Sequence, residues 1–174
     1  MKINIEFLDY RYIDILYEAF AKNNWHKPKS LFEKYLDEQK DGTRKILVAT
    51  VNSEVTGYAT LNFESQYKPF QEENIPEIQD LNVLPAFRNK GIASSLLDSL
   101  ENQAKFYSDG VGIGVGLYAG DDGGYGAAQK LYVKRGYIPD GKGVTYNYEP
   151  VIPGNSYTVD DDLILWFTKS INSI

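Results

Sequence analysis

The chain has 174 residues, 43% of them hydrophobic and 24% charged, the balance of a soluble globular protein with one core of its own. Eighteen basic residues against twenty-four acidic ones leave a net charge of −6, which argues against a general nucleic-acid binder. The absence of cysteine removes disulfides, a catalytic thiol and cysteine-ligated metal. No apolar run reaches the length of a membrane span and the first six residues carry no signal-peptide pattern, so one cytoplasmic domain over residues 1–174 is expected. The negative charge is compatible with attracting cationic amines, and equally with solubility alone.

Ile3 to Leu8 alternates apolar and polar residues, which predicts a first strand. Asp9 is placed to cap a helix whose Ile13, Leu16, Tyr17 and Phe20 share a face, and Asn23, Asn24 and Pro28 break it. Ser30 and Glu33 have capping-box spacing for a second short helix carrying Leu31, Tyr35 and Leu36, ended by Asp41-Gly42. Lys45–Val51 and Val55–Phe63 flank the turn Asn52-Ser53-Glu54 as a hairpin. Glu64 to Pro76, polar and with two prolines, reads as a connecting arm.

Glu77 to Val83 is the next strand, followed by a turn at Pro85, a basic loop and a helix opening at Gly91 with Leu96, Leu97, Leu100 and Ala104 at helical spacing. Val111 to Leu117 alternates apolar residues with glycine. That is a strand pattern rather than a dinucleotide fingerprint, because no helix starts at its third glycine, and the bare face lets a helix or ligand lie close. Asp121 to Gly124 reads as a loop, Ala127 to Arg135 as a helix stopped by Gly136, and Tyr137-Ile138 as the start of a strand. Pro139 to Asp162, rich in glycine, proline and tyrosine, exceeds an ordinary connection and reads as a lid or interaction arm. Leu163 to Thr168 is the last strand.

The run Arg88-Asn89-Lys90-Gly91-Ile92-Ala93 has the makings of an anion-binding loop. Small residues let the backbone approach a ligand, the first amides of a helix lack internal partners, and the helix dipole favours negative charge there. Arg88 and Lys90 bring positive charge to the same mouth. An ordinary strand-to-helix turn with two solvated bases is the alternative.

This stretch resembles the GNAT superfamily of acetyl-CoA-dependent N-acetyltransferases. Arg88, Gly91 and Ala93 fill the family's pyrophosphate motif Arg/Gln-x-x-Gly-x-Gly/Ala, and Val83-Leu84-Pro85 matches its strand end. Gly57 resembles a glycine of the matching strand, and Ala128-Gln-Lys-Leu-Tyr-Val-Lys-Arg-Gly-Tyr137 resembles Ala-x-x-Leu-Tyr-x-Lys-x-Gly-Phe/Tyr. The predicted order β-α-α-β-β-β-α-β-α-β-β is also the family's. The resemblance implies an α/β (α+β) three-layer fold with a central mixed, mostly antiparallel sheet and helices on both faces.

It further implies an N-acetyltransferase moving an acetyl group from acetyl-CoA to a primary amine by direct attack in a ternary complex. By resemblance, Arg88, Asn89, Lys90, Gly91, Ile92, Ala93 and Ser94 hold the pyrophosphate, and the backbone of Leu81 and Val83 pairs with the pantetheine arm. Tyr132 takes the role of the acid at the thiolate. Glu77, six residues before Val83, takes that of the base, with an exposed strand start as the equal alternative. Period-two alternation puts Glu77 with Gln79, Leu81 and Val83, and Asp80 on the opposite face unless a bulge re-aims it. Tyr125 stands where the family often has a cofactor-touching asparagine.

Trp25, His26, Phe32 and Tyr35 lie where the family often builds its acceptor wall, though packing explains them equally well. Asp160-Asp161-Asp162 reads either as a lure for a cation or as a solvated strand entry. The lone His26 gives no metal site, and none is expected. The acceptor implied is a small-molecule amine or a protein N-terminal or lysine amine, with no nucleic-acid or membrane partner and with room for a homodimer. The rival reading is a non-catalytic acyl-CoA-binding sensor or partner-binding module, with Tyr146, Tyr148 and Tyr157 as its surface.

Overall fold

A computed structural model describes residues 1–120 and 124–172, so the loop expected over Asp121–Gly124 lies, except for Gly124, outside the described residues. The elements in chain order are β1 (Ile3–Phe7), α1 (Tyr12–Ala21), α2 (Lys29–Asp41), β2 (Arg44–Val51), β3 (Glu54–Asn62), α3 (Lys68–Glu73) and β4 (Glu77–Val83). A single 3-10 turn (Pro85–Phe87) leads to α4 (Ile92–Ala104), β5 (Gly110–Gly116), α5 (Gly126–Lys134), β6 (Ile138–Tyr146), β7 (Glu149–Pro150) and β8 (Leu163–Ser170). The strands form one sheet in the order β1-β2-β3-β4-β5-β8-β6-β7. Every neighbouring pair runs antiparallel except β4 and β5.

The β2–β3 hairpin is the centre of this arrangement. Asn52 and Ser53 both take positive φ, 51° and 67°, so the two-residue turn twists with its strands rather than against them. Because strand side chains alternate, Ile46 and Val48 meet one helical layer while Leu47, Ala49 and Val51 meet the other. The first layer is α1 and α2, which bury Ile13, Leu16, Phe20, Phe32 and Leu36 against Ile46, Val48 and Tyr58. On the second, α4 buries Leu96, Leu97, Leu100 and Ala104, joined by Tyr132 of α5. Each fully buried leucine contributes about 1.5–3 kcal/mol. Among the described residues no helix is long and apolar enough to cross a membrane.

Several expectations need correction. Pro28, in extended backbone at φ −65° and ψ 151°, starts α2 at Lys29, so Ser30 already lies in the first turn and no side-chain cap forms. In α1 the tyrosine that joins Ile13, Leu16 and Phe20 inside is Tyr12, whose hydroxyl donates to Glu6 at 2.9 Å, while Tyr17 is exposed. In α2 it is Phe32, not Leu31, that is fully buried. The arm at 64–76 is not a loose connection. It contains α3, and the Tyr67 ring stacks on Trp166 with centroids 4.1 Å apart while Phe70 packs beside them.

The segment from Pro139 begins as a strand rather than a lid. Ile138–Tyr146 pairs with β8, and the register slips between Pro139 and Val144. Gly141 and Gly143 take φ of 80° and 83° within that slip, a conformation glycine adopts without a steric penalty. The glycine, proline and tyrosine content that suggests a loop is therefore, in its first third, the composition of a bulged strand.

Candidate active site

The β4 and β5 strands are in register only at Glu77↔Gly112 and Ile78↔Ile113, after which they part. β5 stays tied to β8 as far as Gly116↔Ile164. β4 bends at Asp80, which takes φ 54° where the pairing with β3 slips between Tyr58 and Thr60. The parted strands border a cleft of about 1100 Å³, with Gln79–Val83 on one side and Gly114 on the other.

The start of α4 stands at this cleft. Asn89 and Gly91 take φ of 59° and 81°, which swings the chain into the helix, and the first amide of the helix to find a carbonyl is Ser95, to Gly91, at 3.0 Å. The amides before it are left for a ligand, and together with the helix dipole they suit an anion. Arg88, Asn89, Gly91, Ile92, Ala93 and Ser94 all line the cleft. The Ile92 side chain is buried in the core, so only its backbone is offered. Lys90 is turned away: its ammonium donates to the Ala86 carbonyl at 2.9 Å and lies 5.2 Å from the Phe87 ring centre. Arg88 lies over the Trp25 ring at 5.4 Å.

The bulge at Asp80 also reorders the strand's faces. Glu77, Gln79 and Asn82 pair across from Asn62, Thr60 and Tyr58, so these three share one face. Ile78, Leu81 and Val83 pack instead on the core under α4. The expected grouping of Glu77 with Leu81 and Val83 is thus broken by one inserted residue, and Asp80 joins the side of Glu77.

Glu77 is buried and Asp80 half-buried, with opposite consequences for their protons. Burial pushes the Glu77 carboxyl above the usual range, and the Ser65 hydroxyl at 2.5 Å, Gln79 and the Arg44 charge only partly oppose this. Burial also works against ionised Asp80, but there the donors win and the carboxyl is held below its usual range. Those donors are Lys27 Nζ at 2.6 Å, Asn82 Nδ2 at 2.8 Å, the Tyr35 hydroxyl at 3.1 Å and the Tyr58 hydroxyl. Asp80 is a fixed anion, whereas Glu77 is a carboxylate ready to take a proton.

On the other wall, Tyr132 is buried yet lines the cleft, and among the described residues its hydroxyl has no hydrogen-bond partner. Burial raises its pKa and keeps the phenol protonated. α5 is pinned to β5 by Gln129 Nε2 donating to the Gly116 carbonyl at 2.8 Å. The Tyr125 ring lies against Gly116, where a Cβ would come within 2.3 Å of it. Tyr118 and Tyr125 both donate to Asp161, at 2.6 and 2.8 Å, and Tyr146 donates to Asp160 at 3.0 Å. Asp161 is therefore a bonded but exposed part of the cleft wall, while Asp160 is bonded to Tyr146 and is not among the cleft residues.

Of the four residues expected at the acceptor wall, Trp25 and Tyr35 line the cleft. Phe32 does not: it is fully buried, edge-on to Tyr58 at 5.3 Å. His26 is exposed and is not among the cleft residues. Sequence reasoning missed Lys27, Ser65 and Asn147, and gave Tyr148, which lines the cleft, only to a partner surface in the rival reading. Lys27 had a signal, its place two residues after Trp25, whereas Ser65 sits twelve residues from its partner Glu77 with no pattern joining them.

The chain is similar to several known proteins. An uncharacterized N-acetyltransferase of Archaeoglobus fulgidus is 30% identical over 81 residues, 47% of this chain, and the match spans about half (52%) of that relative's length. An N-acetyltransferase from Staphylococcus aureus Mu50 superimposes with a TM-score of 0.69 at 19% identity, over 99% of this chain and 100% of that one. The yncA protein of Salmonella typhimurium, solved with its cofactor acetyl-CoA, gives 0.67 at 18% identity, over 99% and 95%. The ribosomal-protein-S18-alanine N-acetyltransferase of Escherichia coli gives 0.66 at 15%, over 99% and 96%. These likenesses establish the fold, and the pattern of the acetyltransferase (GNAT) family matches residues 10–137, so the chain belongs to the GNAT acetyltransferase family.

Proposed function

We propose that the chain moves the acetyl group of acetyl-CoA, the donor its family uses, onto a primary amine that attacks directly within a ternary complex. The observation that carries this reading is the Tyr132 hydroxyl, which lies on a buried side chain, has no hydrogen-bond partner among the described residues and lines a cleft that opens between two parted parallel strands. The residues suit the donor. Free amides at the start of α4, with Arg88, would take its pyrophosphate, and the open edge of β4 at Leu81 and Val83 would pair with its amide-bearing arm. Lys90 contributes at most its backbone, since its ammonium faces Ala86.

Acetyl-CoA supplies an activated thioester carbonyl. An alkylamine has a pKa of about 10.4, so at neutral pH it must lose a proton before it can attack. Glu77 takes that proton, directly or through a water, because desolvation has made it a better base than an exposed glutamate. Tyr132 donates its proton, or a hydrogen bond, to the departing sulfur. The charge-saturated Asp80 is the poorer base of the two.

The test is a thermal-shift titration with acetyl-CoA, coenzyme A, NAD and ATP, followed by release of free thiol across a panel of amines. A ligand at 100 times its dissociation constant stabilises the native state by about 2.7 kcal/mol. Shifts with the two coenzyme A species alone, and thiol release with an amine, are expected. No shift with either overturns the loop assignment. A shift without turnover of any amine overturns transfer and leaves an acyl-CoA-binding module.

A further inference from the structure

We propose that Lys27, fixed by Asp80, is the cation that recognises the acceptor, and that the amine acetylated in this cleft carries a carboxylate of its own. The inference rests on the reading of the cleft as an acetyl-transfer site and names the class of amine that enters it.

Lys27 comes from the connection between α1 and α2, and its side chain is 23% exposed. One of its three N–H groups is used by Asp80 at 2.6 Å, and the ammonium lies 5.7 Å from the centre of the Tyr58 ring. Its other hydrogens have no partner among the described residues, and the side chain lines the cleft. Asp80 in turn accepts from Lys27, Asn82, Tyr35 and Tyr58, which fills its lone-pair positions. The carboxylate therefore cannot also receive an incoming ammonium. What it offers a ligand is the lysine it holds.

A pair of this kind adds little to stability, because apolar residues of equal volume serve a core as well or better. Its effect is to hold positive charge at one place in the cleft. Asp161 and Asp162 line the same cleft, and the Asp162 carboxylate has no partner among the described residues. Buried Glu77 also lines it. An amine bearing a carboxylate meets both signs: its ammonium faces the acids and Glu77, and its carboxylate faces Lys27. A simple polyamine meets like charge at Lys27 and leaves that cation unanswered, a repulsion that selects against it. Lys27 itself is a poor acceptor, since an ammonium held by Asp80 has no lone pair to attack with.

The experiment compares matched acceptors on the coenzyme A-bound protein by calorimetry and on acetyl-CoA by thiol release. Glycine, β-alanine and γ-aminobutyrate are each set against the corresponding amide. A C-terminally amidated dipeptide with glutamate second is set against its amidated glutamine counterpart, and spermidine is the polyamine control. We expect each acid to bind about 10- to 100-fold tighter than its amide at the best chain length, as a hydrogen bond to a charged group is worth. Free acids and the acidic peptide distinguish a small acceptor from a chain terminus. Lys27→Gln should abolish the preference, raising KM for acids with little change for amides, and Lys27→Arg should keep part of it.

The proposal is overturned if spermidine or the amides bind as well as the acids, if Lys27→Gln weakens acid and amide alike, or if mass spectrometry finds acetyl on Lys27 itself. The wild-type comparison stands even if the variants do not fold. Acid preference in binding without turnover overturns the transfer reading, and the acetylation part of this proposal with it, and keeps Lys27 as the cation that binds the carboxylate.

Discussion

The Ser65 hydroxyl donates to Glu77 Oε2 at 2.5 Å, so the segment before α3 holds the carboxylate at the start of β4. Burial raises the proton affinity of this group in the folded state, where it must be ionised to act as a base. The rate should therefore rise with pH along a limb that lies above the ordinary glutamate value of about 4.3. Glu77→Gln should lower kcat by about 100- to 10,000-fold, the usual size of base catalysis, and erase that limb. Because the folded pKa exceeds the unfolded one, ionised Glu77 costs stability that is recovered at low pH. The glutamine variant should accordingly melt no lower than wild type near neutrality. Initial rates against pH and thermal unfolding of the two proteins check both statements.

Tyr132 predicts a different pH behaviour. Burial raises its pKa, so its ionisation should not bring the rate down between pH 7 and 10. Tyr132→Phe should bind coenzyme A as tightly as wild type and lose kcat, because the ring still packs and only the hydroxyl has gone. Tyr35, Tyr58 and Tyr137 are also pushed up by burial, so the stability these groups contribute is full below about pH 10 and is lost as the pH rises further. Denaturant unfolding should show this as a falling midpoint above that pH. Equal kcat in the phenylalanine variant removes Tyr132 from the chemistry.

What the sequence showed and what it hid have physical reasons. The turn at Asn52, the hairpin around it and the helix opening at Gly91 rest on local chemistry, so they could be read residue by residue. The bulge at Asp80 could not be placed that way. Aspartate tolerates left-handed backbone, but nothing adjacent to it announces φ of 54°; the slip against β3 does. That one residue decides which side chains accompany Glu77. The same holds for α3, whose six residues form because Phe70 and Tyr67 dock on Trp166, nearly a hundred positions away in the chain.

The alternating glycines of β5 are filled space rather than open floor. A Cβ on Gly112 would lie 2.2 Å from two atoms of the Phe70 ring, whereas one on Gly110 would meet nothing closer than the Lys169 carbonyl oxygen at 3.6 Å. Gly112→Ala should displace Phe70 and destabilise the fold by about 1–3 kcal/mol, as overpacking does. Gly110→Ala should stay within about 0.5 kcal/mol of wild type or stabilise slightly. Urea midpoints of the pair decide it. Equal effects would mean that α3 does not depend on the bare face of β5.

The helix that carries Tyr132, α5, is tied at its far end by a charge network. Glu101 of α4, buried, accepts from the Tyr137 hydroxyl at 2.9 Å, from Lys169 at 2.7 Å and from Arg135 at 3.2 Å, and Arg135 also reaches Asp98 at 2.5 Å. One carboxylate thus joins α4, the end of α5 and β8. Removing it strands two partly buried cations, a loss of about 3–5 kcal/mol where one partner of a buried pair is deleted. Lys169 and Arg135 keep 22% and 15% of their side-chain surface, and Arg135 retains Asp98, so the lower end of that range is expected. Glu101→Ala should lower the urea midpoint accordingly, and Glu101→Gln should recover part of it by accepting from Tyr137. Both should reduce kcat more than they weaken coenzyme A binding, because they loosen the helix that aims Tyr132 and leave the start of α4 in place. If stability falls while kcat holds, the network supports the fold alone, and the placement of Tyr132 is set by Gln129 and Gly116 at the helix's other end.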